Sequence, residues 1–243
     1  MSQRRPQSAD LHAGPGFRVE TEITRTEADI VRAFGDYETP DISDMLNRLY
    51  TMHSAIHNVI NDTPIVGSAV TVKVFPGDNL MVHKALDVAQ PGDIIVVDAS
   101  ASEMTAVIGD LVASKAKHRG IAGFVIDGLV RDLPEMREVG LPVFARGITP
   151  IGPLHRGPGE LNYPVSCGGI VVMPGDIVVG DASGVVVVRK DFASDVLERL
   201  RAQRSSLAEY VANVKRGQFS NAWVDDVLAR NGCEMKGDVA KSA

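Results

Sequence analysis

The segment 121–132, IAGFVIDGLVRD, ends an apolar run on an arginine followed directly by an aspartate. The run reads as a buried strand, and ligands of α/β proteins bind beyond the carboxyl ends of strands. Arg131 can clamp a carboxylate through parallel hydrogen bonds, and Asp132 is a hard oxygen donor for a divalent cation. The same pair also fits a surface ion pair, or an Asp132 that caps a helix, and spacing alone leaves these open. A second segment, Gly109-Asp110-Leu111, opens a helix that runs past Lys115. Free backbone N–H groups at a helix N-terminus can hold a substrate carboxylate, and Gly109 would let the backbone approach it closely. The plainer reading makes Asp110 an acidic residue in a first helical turn.

Other reactive residues carry weaker patterns. His53 and His57 stand four apart on a possible helix, a zinc-compatible spacing that lacks a third ligand. Cys167, before Gly168-Gly169, has no histidine placed beside it and reads as a small residue in a turn. Ser183 lacks the glycine two positions earlier that a nucleophile elbow needs. Lys73, Lys84 and Lys115 are the lysines that could form a Schiff base.

The elements that must position these residues alternate between strand and helix periods. The run 65–75 has β character, residues 79–89 read as a helix, and 94–97 as a strand. A helix over 109–118, a strand over 122–126, a helix over 133–139 and a strand over 142–145 follow. Strands at 170–173, 177–179 and 184–188 precede a long amphipathic helix over 191–216. Near the start, Thr26 resembles an N-cap for a short helix, and Pro40 is read as a break before a second helix carrying Ile42, Met45, Leu46 and Leu49. Pro-Gly-Asp recurs as a turn at 76–78, 91–93 and 174–176, and at the last two it reads as a turn before a buried strand. This order predicts an α/β layered domain over 18–216, with a flexible extension at 1–17 and a weakly patterned tail at 217–243.

Composition sets the outer limits. The chain has 243 residues, 44% hydrophobic and 23% charged, which suits a globular protein with a substantial core. Its net charge is −6 and its basic residues are scattered, so no nucleic-acid partner is expected. Two distant cysteines suggest a reducing cytosol. No apolar stretch follows the first residues as in a signal peptide, and the apolar runs are strand-length. A cytoplasmic protein without a membrane partner is the expectation.

Taken in order, PGDN at 76–79, PGDIIVVD at 91–98, GDL at 109–111, DGLVRD at 127–132, CGG at 167–169 and PGDIVVGDASGVVVV at 174–188 resemble the RraA-like family. The branch resembled is the 4-hydroxy-4-methyl-2-oxoglutarate aldolases, which also decarboxylate oxaloacetate. The match runs from about residue 24 to 215. The resemblance implies a compact αββα-type layered domain related to the swivelling phosphohistidine domain, assembled as a homotrimer or homohexamer. It implies a Mg²⁺ or Mn²⁺ ion on Asp132, held largely through waters, and a small 2-oxo acid substrate. By the same resemblance Arg131 binds substrate and stabilises the enolate. Gly109, Asp110 and Leu111 donate to the pyruvyl carboxylate, Asp110 orients the water that protonates the enolate, and Asn79 lines the pocket. An acidic residue from a neighbouring copy's C-terminal helix can approach such a site; Glu209 is a counterpart here, with Glu198 competing.

The family also contains proteins without aldolase activity that bind and inhibit a ribonuclease. They lack the aspartate after the arginine and lack the GDL segment, whereas this chain carries both. A non-catalytic regulator that binds a protein partner is therefore the alternative expectation.

Overall fold

A computed structural model describes residues 10–234 and 236 of the chain. The chain divides into two compact units after Leu200. In the first unit the elements run β1 (Phe17–Val19), α1 (Ala28–Ala33), α2 (Thr39–Met45), β2 (His57–Asn58), β3 (Ile65–Val74), α3 (Leu80–Val88), β4 (Ile94–Asp98), β5 (Ala106–Ile108), α4 (Asp110–His118), β6 (Gly123–Val130) and α5 (Leu133–Val139). They continue with β7 (Val143–Ile148), β8 (Gly159–Leu161), β9 (Val165–Cys167), β10 (Ile170–Val172), β11 (Ile177–Asp181), β12 (Gly184–Val188) and the start of α6 (Ala193–Lys215). The second unit holds the rest of α6 and α7 (Ala222–Arg230).

The strands β3, β4, β6 and β7 are parallel neighbours in that order, and α3, α4 and α5 lie on the connections between them. The two-residue period of β3 sorts its side chains between two cores. Val70, Val72 and Val74 pack with Val82 and Ala85 of α3 and Val112 and Ala116 of α4. Ala69 joins Val96, Val125, Phe144 and the valines Val178, Val185 and Val187 of the β11–β12 hairpin. The outer face of that hairpin, through Ile177, Val179 and Val186, buries Val31 of α1, Ile42 of α2 and Leu197 of α6. The unit is thus a mixed α/β domain in which helices flank a many-stranded sheet.

The recurring Pro-Gly-Asp has a structural cause. Gly77, Gly92 and Gly175 adopt φ of 90°, 88° and 84°, a region that glycine enters without a Cβ clash. The aspartate after each is buried and holds its loop by accepting backbone amides. Asp93 accepts the Gln90 N–H at 2.7 Å and Asp176 accepts the Met173 N–H at 2.9 Å, the same bond in both turns. Each also meets an arginine, Arg25 on Asp93 through two hydrogen bonds of 2.9 and 2.7 Å and Arg189 on Asp176 at 3.1 Å. Burial pushes the Asp176 carboxyl up, against the pull of the Met173 and Lys190 amides and of Arg189. Asp78 instead accepts the Leu80 and Arg156 amides, at 2.8 and 2.5 Å.

Several local expectations are corrected. Thr26 caps nothing: α1 follows Glu27 without a side-chain cap, and Thr26 Oγ1 is buried without a partner. Pro40 lies in the first turn of α2, where its missing N–H is not needed, so it starts the helix and does not break the chain. That helix stops at Met45 because Asn47 and Arg48 turn left-handed at φ 54° and 64°, leaving Leu49 exposed. His53 and His57 lie on no helix; His57 belongs to β2, which pairs with β7. Residues 1–9 of the expected extension lie outside the described residues, and Phe17 is already paired with Gly159 in the sheet. The weakly patterned tail contains α7, and its residues 235 and 237–243 lie outside the described residues.

Asp93→Ala should lower stability by about 2–3 kcal/mol, because it strands the Arg25 guanidinium and the Gln90 amide. The urea midpoint reads this, and a loss under about 1 kcal/mol would show that the carboxylate does not hold the turn.

Candidate functional site

The site begins with a strand pairing. β5 lies parallel to β6, with Ala106 opposite Leu129 and Ile108 opposite Val130. The Arg131 N–H continues the ladder to the Ile108 carbonyl at 3.1 Å. Both chains therefore leave the sheet side by side in the same direction. One becomes Gly109 and α4; the other becomes Arg131, Asp132 and α5.

At the first exit, Gly109 is the N-cap of α4 and offers no side-chain cap. The first helical bond runs from the Ala113 N–H to the Gly109 carbonyl at 3.1 Å. The amides of Asp110, Leu111 and Val112 precede that bond and have no carbonyl one turn back within the helix. Such an end suits an anion. Leu111 is 69% exposed, so what it presents at this helix end is its backbone amide.

At the second exit, Asp132 takes the left-handed conformation, φ 58° and ψ 43°, as N-cap of α5. Aspartate tolerates this region better than most residues. Its carboxylate caps no amide of the helix and stands 3.1 Å from Arg131 Nε. Glycines make room for the pair on both flanks. A Cβ on Gly109 would collide with Asp132 Oδ2 and lie 3.1–3.2 Å from Arg131 Cγ and Nε, and a Cβ on Gly152 would collide with Arg131 Nη1. The bare Cα of Gly109 thus leaves room for the present positions of the arginine and aspartate side chains.

These groups share one cleft of about 310 Å³. Asn79, Gly109, Asp110, Leu111, Arg131 and Asp132, each singled out in the sequence, all line it. Asn79 is buried and has both ends of its amide engaged. Its Nδ2 donates to the Val107 carbonyl at 2.8 Å, and its Oδ1 lies 2.6 Å from His155 Nδ1. A carbonyl only accepts, so the amide orientation is determined: Oδ1 accepts, and His155 carries a proton on Nδ1. Asn79 thereby positions β5 and the 149–156 segment against α3.

His83, Lys115, Pro153 and His155 also line the cleft. Of these the sequence had raised only Lys115, in another role. His83 stands four residues after Asn79, one helical turn, which is a legible spacing. His155 falls in a segment with no periodicity, and nothing local marks it. The two imidazoles meet edge to face, with centroids 5.2 Å apart at 77°. Burial, then His155, then Lys115 push the His83 pKa below its ordinary value, against Asp78.

The remaining candidates lie elsewhere. His53 and His57 are exposed and bond through Nδ1 to the backbone of Ala55. Cys167 is buried, and burial, with Asp127 and Asp98, pushes its thiol pKa up, away from the thiolate a nucleophile needs. Ser183 sits in the β11–β12 turn, its amide donating to Asp181. Lys73 pairs with Asp98 at 2.6 Å and Lys84 with Asp87 at 3.8 Å. Glu198 and Glu209 are exposed on α6. Among the described residues no three His, Cys, Asp or Glu side chains converge as metal ligands. No helix among them is long and apolar enough to cross a membrane.

Fold and cleft define a mixed α/β protein whose candidate site lies at the carboxyl ends of parallel strands. The RraA-like family (Aldolase/RraA) matches residues 39–187, and the chain belongs to that family. A protein of Halalkalibacterium halodurans named "Putative 4-hydroxy-4-methyl-2-oxoglutarate aldolase" is 40% identical over 183 residues, covering 75% of this chain and 87% of that protein. Among solved structures, Streptomyces coelicolor RraAS2, described as an unusual member of the RNase ES inhibitor RraA protein family, aligns with a TM-score of 0.71 and 28% identity, covering 79% of this chain and 99% of that one. The RNA-processing inhibitor RraA from Thermus thermophilis aligns at 0.58 and 31%, over 63% and 92%.

The lowered His83 pKa makes the stability of the fold depend on pH. Below the ordinary value of 6.5 the unfolded chain takes up a proton that the native chain refuses. The associated stability is fully present above that value and is lost as pH falls through the folded one. His83→Gln should therefore flatten the fall in urea midpoint between about pH 7 and pH 5. An unchanged slope would show that another group causes the fall.

Proposed function

We propose that this chain is a divalent-metal-dependent class II aldolase that cleaves 4-hydroxy-4-methyl-2-oxoglutarate-like 2-oxo acids to pyruvate and decarboxylates oxaloacetate through the same pyruvate enolate. The observation that carries the reading is the placement of Arg131, between Gly109 and Gly152, beside Asp132 and the open amides of α4 in one cleft. We read the scaffold as the αββα arrangement of swivelling phosphohistidine domains and the working form as a cytoplasmic homotrimer or homohexamer.

In this scheme the Asp110 and Leu111 amides receive the carboxylate next to the keto group. Arg131 donates to the oxygen on which the enolate charge develops. Asp110 orients the water that returns a proton to the enolate carbon. Asp132 would hold Mg²⁺ or Mn²⁺. Its carboxylate side chain is 33% exposed and is not consumed by the α5 cap, and Asp110 adds a second oxygen donor to the cleft. With so few protein oxygens, such an ion would keep most of its waters, as Mg²⁺ does readily. When bound, it supplies Lewis-acid stabilisation of the developing negative charge.

The structural likeness to RNase ES inhibitors supports a second reading, a regulator that binds a protein partner. Pyruvate release from oxaloacetate with added Mg²⁺, with and without EDTA, separates the two. The enzyme reading requires release that EDTA stops, and no release would favour the regulator.

Asp132→Ala should abolish metal-dependent turnover with the melting temperature retained. Arg131→Lys keeps the charge but loses the planar pair of donors, so kcat for both substrates should fall by roughly 10²–10³. Near-normal turnover in Arg131→Lys would remove the arginine from the chemistry. Because Lys115 lines the cleft, Schiff-base chemistry is tested there directly. Borohydride with pyruvate should leave the protein mass unchanged, and a trapped adduct would replace the metal scheme.

A further inference from the structure

Arg131 and Lys115 are the lysine and arginine side chains among the described residues lining the cleft. Arg131 is engaged beside Asp132, whereas Lys115 forms no ion pair with a described residue. Lys115 is exposed and lines the cleft from α4. It follows Leu111 by four residues, so the two lie on one face of the helix, about 6 Å apart along its axis. Side chains on a helix lean toward its N-terminus, which carries the ammonium back toward the open amides of Asp110 and Leu111. Asp110, five positions back, projects from a different side of the helix.

The acidic residues that line the cleft with Lys115 are Asp110 and Asp132, and neither forms an ion pair with it. His83 and His155 line the cleft with it, and burial, then His155, then Lys115 lower the His83 pKa against the pull of Asp78. His155 is anchored through Nδ1 to Asn79, which leaves its other nitrogen for the cleft or solvent. Charge points the same way. Asp110 and Asp132 balance Arg131 and Lys115 within the protein, so a bound divalent ion leaves two positive charges for a dianion to neutralise.

We propose that Lys115 binds the far carboxylate of the substrate, one helical turn from the amides that hold the first, and so makes the cleft selective for 2-oxo diacids over 2-oxo monoacids. The assignment rests on the aldolase reading and adds a specificity-determining residue to it. The histidine pair shapes the wall against which that carboxylate lies. Lys115 contributes to affinity and positioning, and bond cleavage stays with Arg131 and Asp132.

Calorimetric titration with pyruvate and with 2-oxoglutarate, in Mg²⁺ buffer, tests this. 2-Oxoglutarate is a diacid without the 4-hydroxyl that aldol cleavage requires, so it reports binding alone. The wild type should bind 2-oxoglutarate more tightly than pyruvate. Lys115→Met should weaken 2-oxoglutarate at least tenfold more than pyruvate, and Lys115→Arg should keep the preference. Equal losses for both acids, or none, would overturn the assignment. Deuterium exchange at pyruvate C3, followed by NMR on the wild type, keeps the two failures apart. Exchange with a preference that Lys115→Met leaves intact sinks only the role of Lys115. Absence of both exchange and pyruvate binding sinks the aldolase reading and this assignment with it.

Discussion

The candidate site depends on one short pairing, β5 against β6. β5 has three residues, and its parallel register with β6 sets where α4 and α5 begin. Without that register the open amides of α4 and the Arg131–Asp132 pair would be two unrelated surface features. With it, a partial positive charge from a helix end, a guanidinium and a carboxylate face one small volume. The arrangement is stiff because each group leaves the end of a buried strand, and β5 and β6 are buried along their whole lengths.

Close approach is the second requirement, and absent side chains meet it. Asp132 Oδ2 and Arg131 pack against the bare Cα of Gly109, and Arg131 Nη1 against that of Gly152. Any Cβ at either place would push the charged groups out of their present geometry. The left-handed Asp132 works in the same direction, since it lets the chain turn from β6 into α5 while its carboxylate stays off the helix cap. Asn79 then ties the far wall to this edge, bonding Val107 of β5 with one end of its amide and His155 with the other. A polar side chain this buried must satisfy its hydrogen bonds, so its partners are held as firmly as it is.

The buried aspartates of the Pro-Gly-Asp turns do not line the cleft and hold loops instead. Asp93 holds the turn that launches β4, and Asp78 holds the loop just before Asn79 together with the amide of Arg156, the residue after His155. The turn motif that looks like a repeat is therefore a solution to one problem met several times, the anchoring of a tight turn at the edge of a buried sheet.

Much of this was legible in the chain itself. The alternation of Val70, Val72 and Val74, the helical spacing of 133–139 and the apolar run of a strand over 122–126, which the structure extends as far as Val130, follow from the order of apolar residues, which is a local property. The ordered motifs around Gly109, Asp132 and the Pro-Gly-Asp turns sufficed for the family. Asn79, Gly109, Asp110, Leu111, Arg131 and Asp132 could be named because their types and neighbours suggest chemistry. Their convergence could not be read, because β5 is too short to show a period and its partner in β6 lies more than twenty residues on. The roles of Pro40 as a helix start, of Gly152 as space for Arg131, and of His155 as a neighbour of His83 were equally hidden. Each is set by what another segment places beside it, and a contact between distant segments leaves no mark on the residues next in the chain.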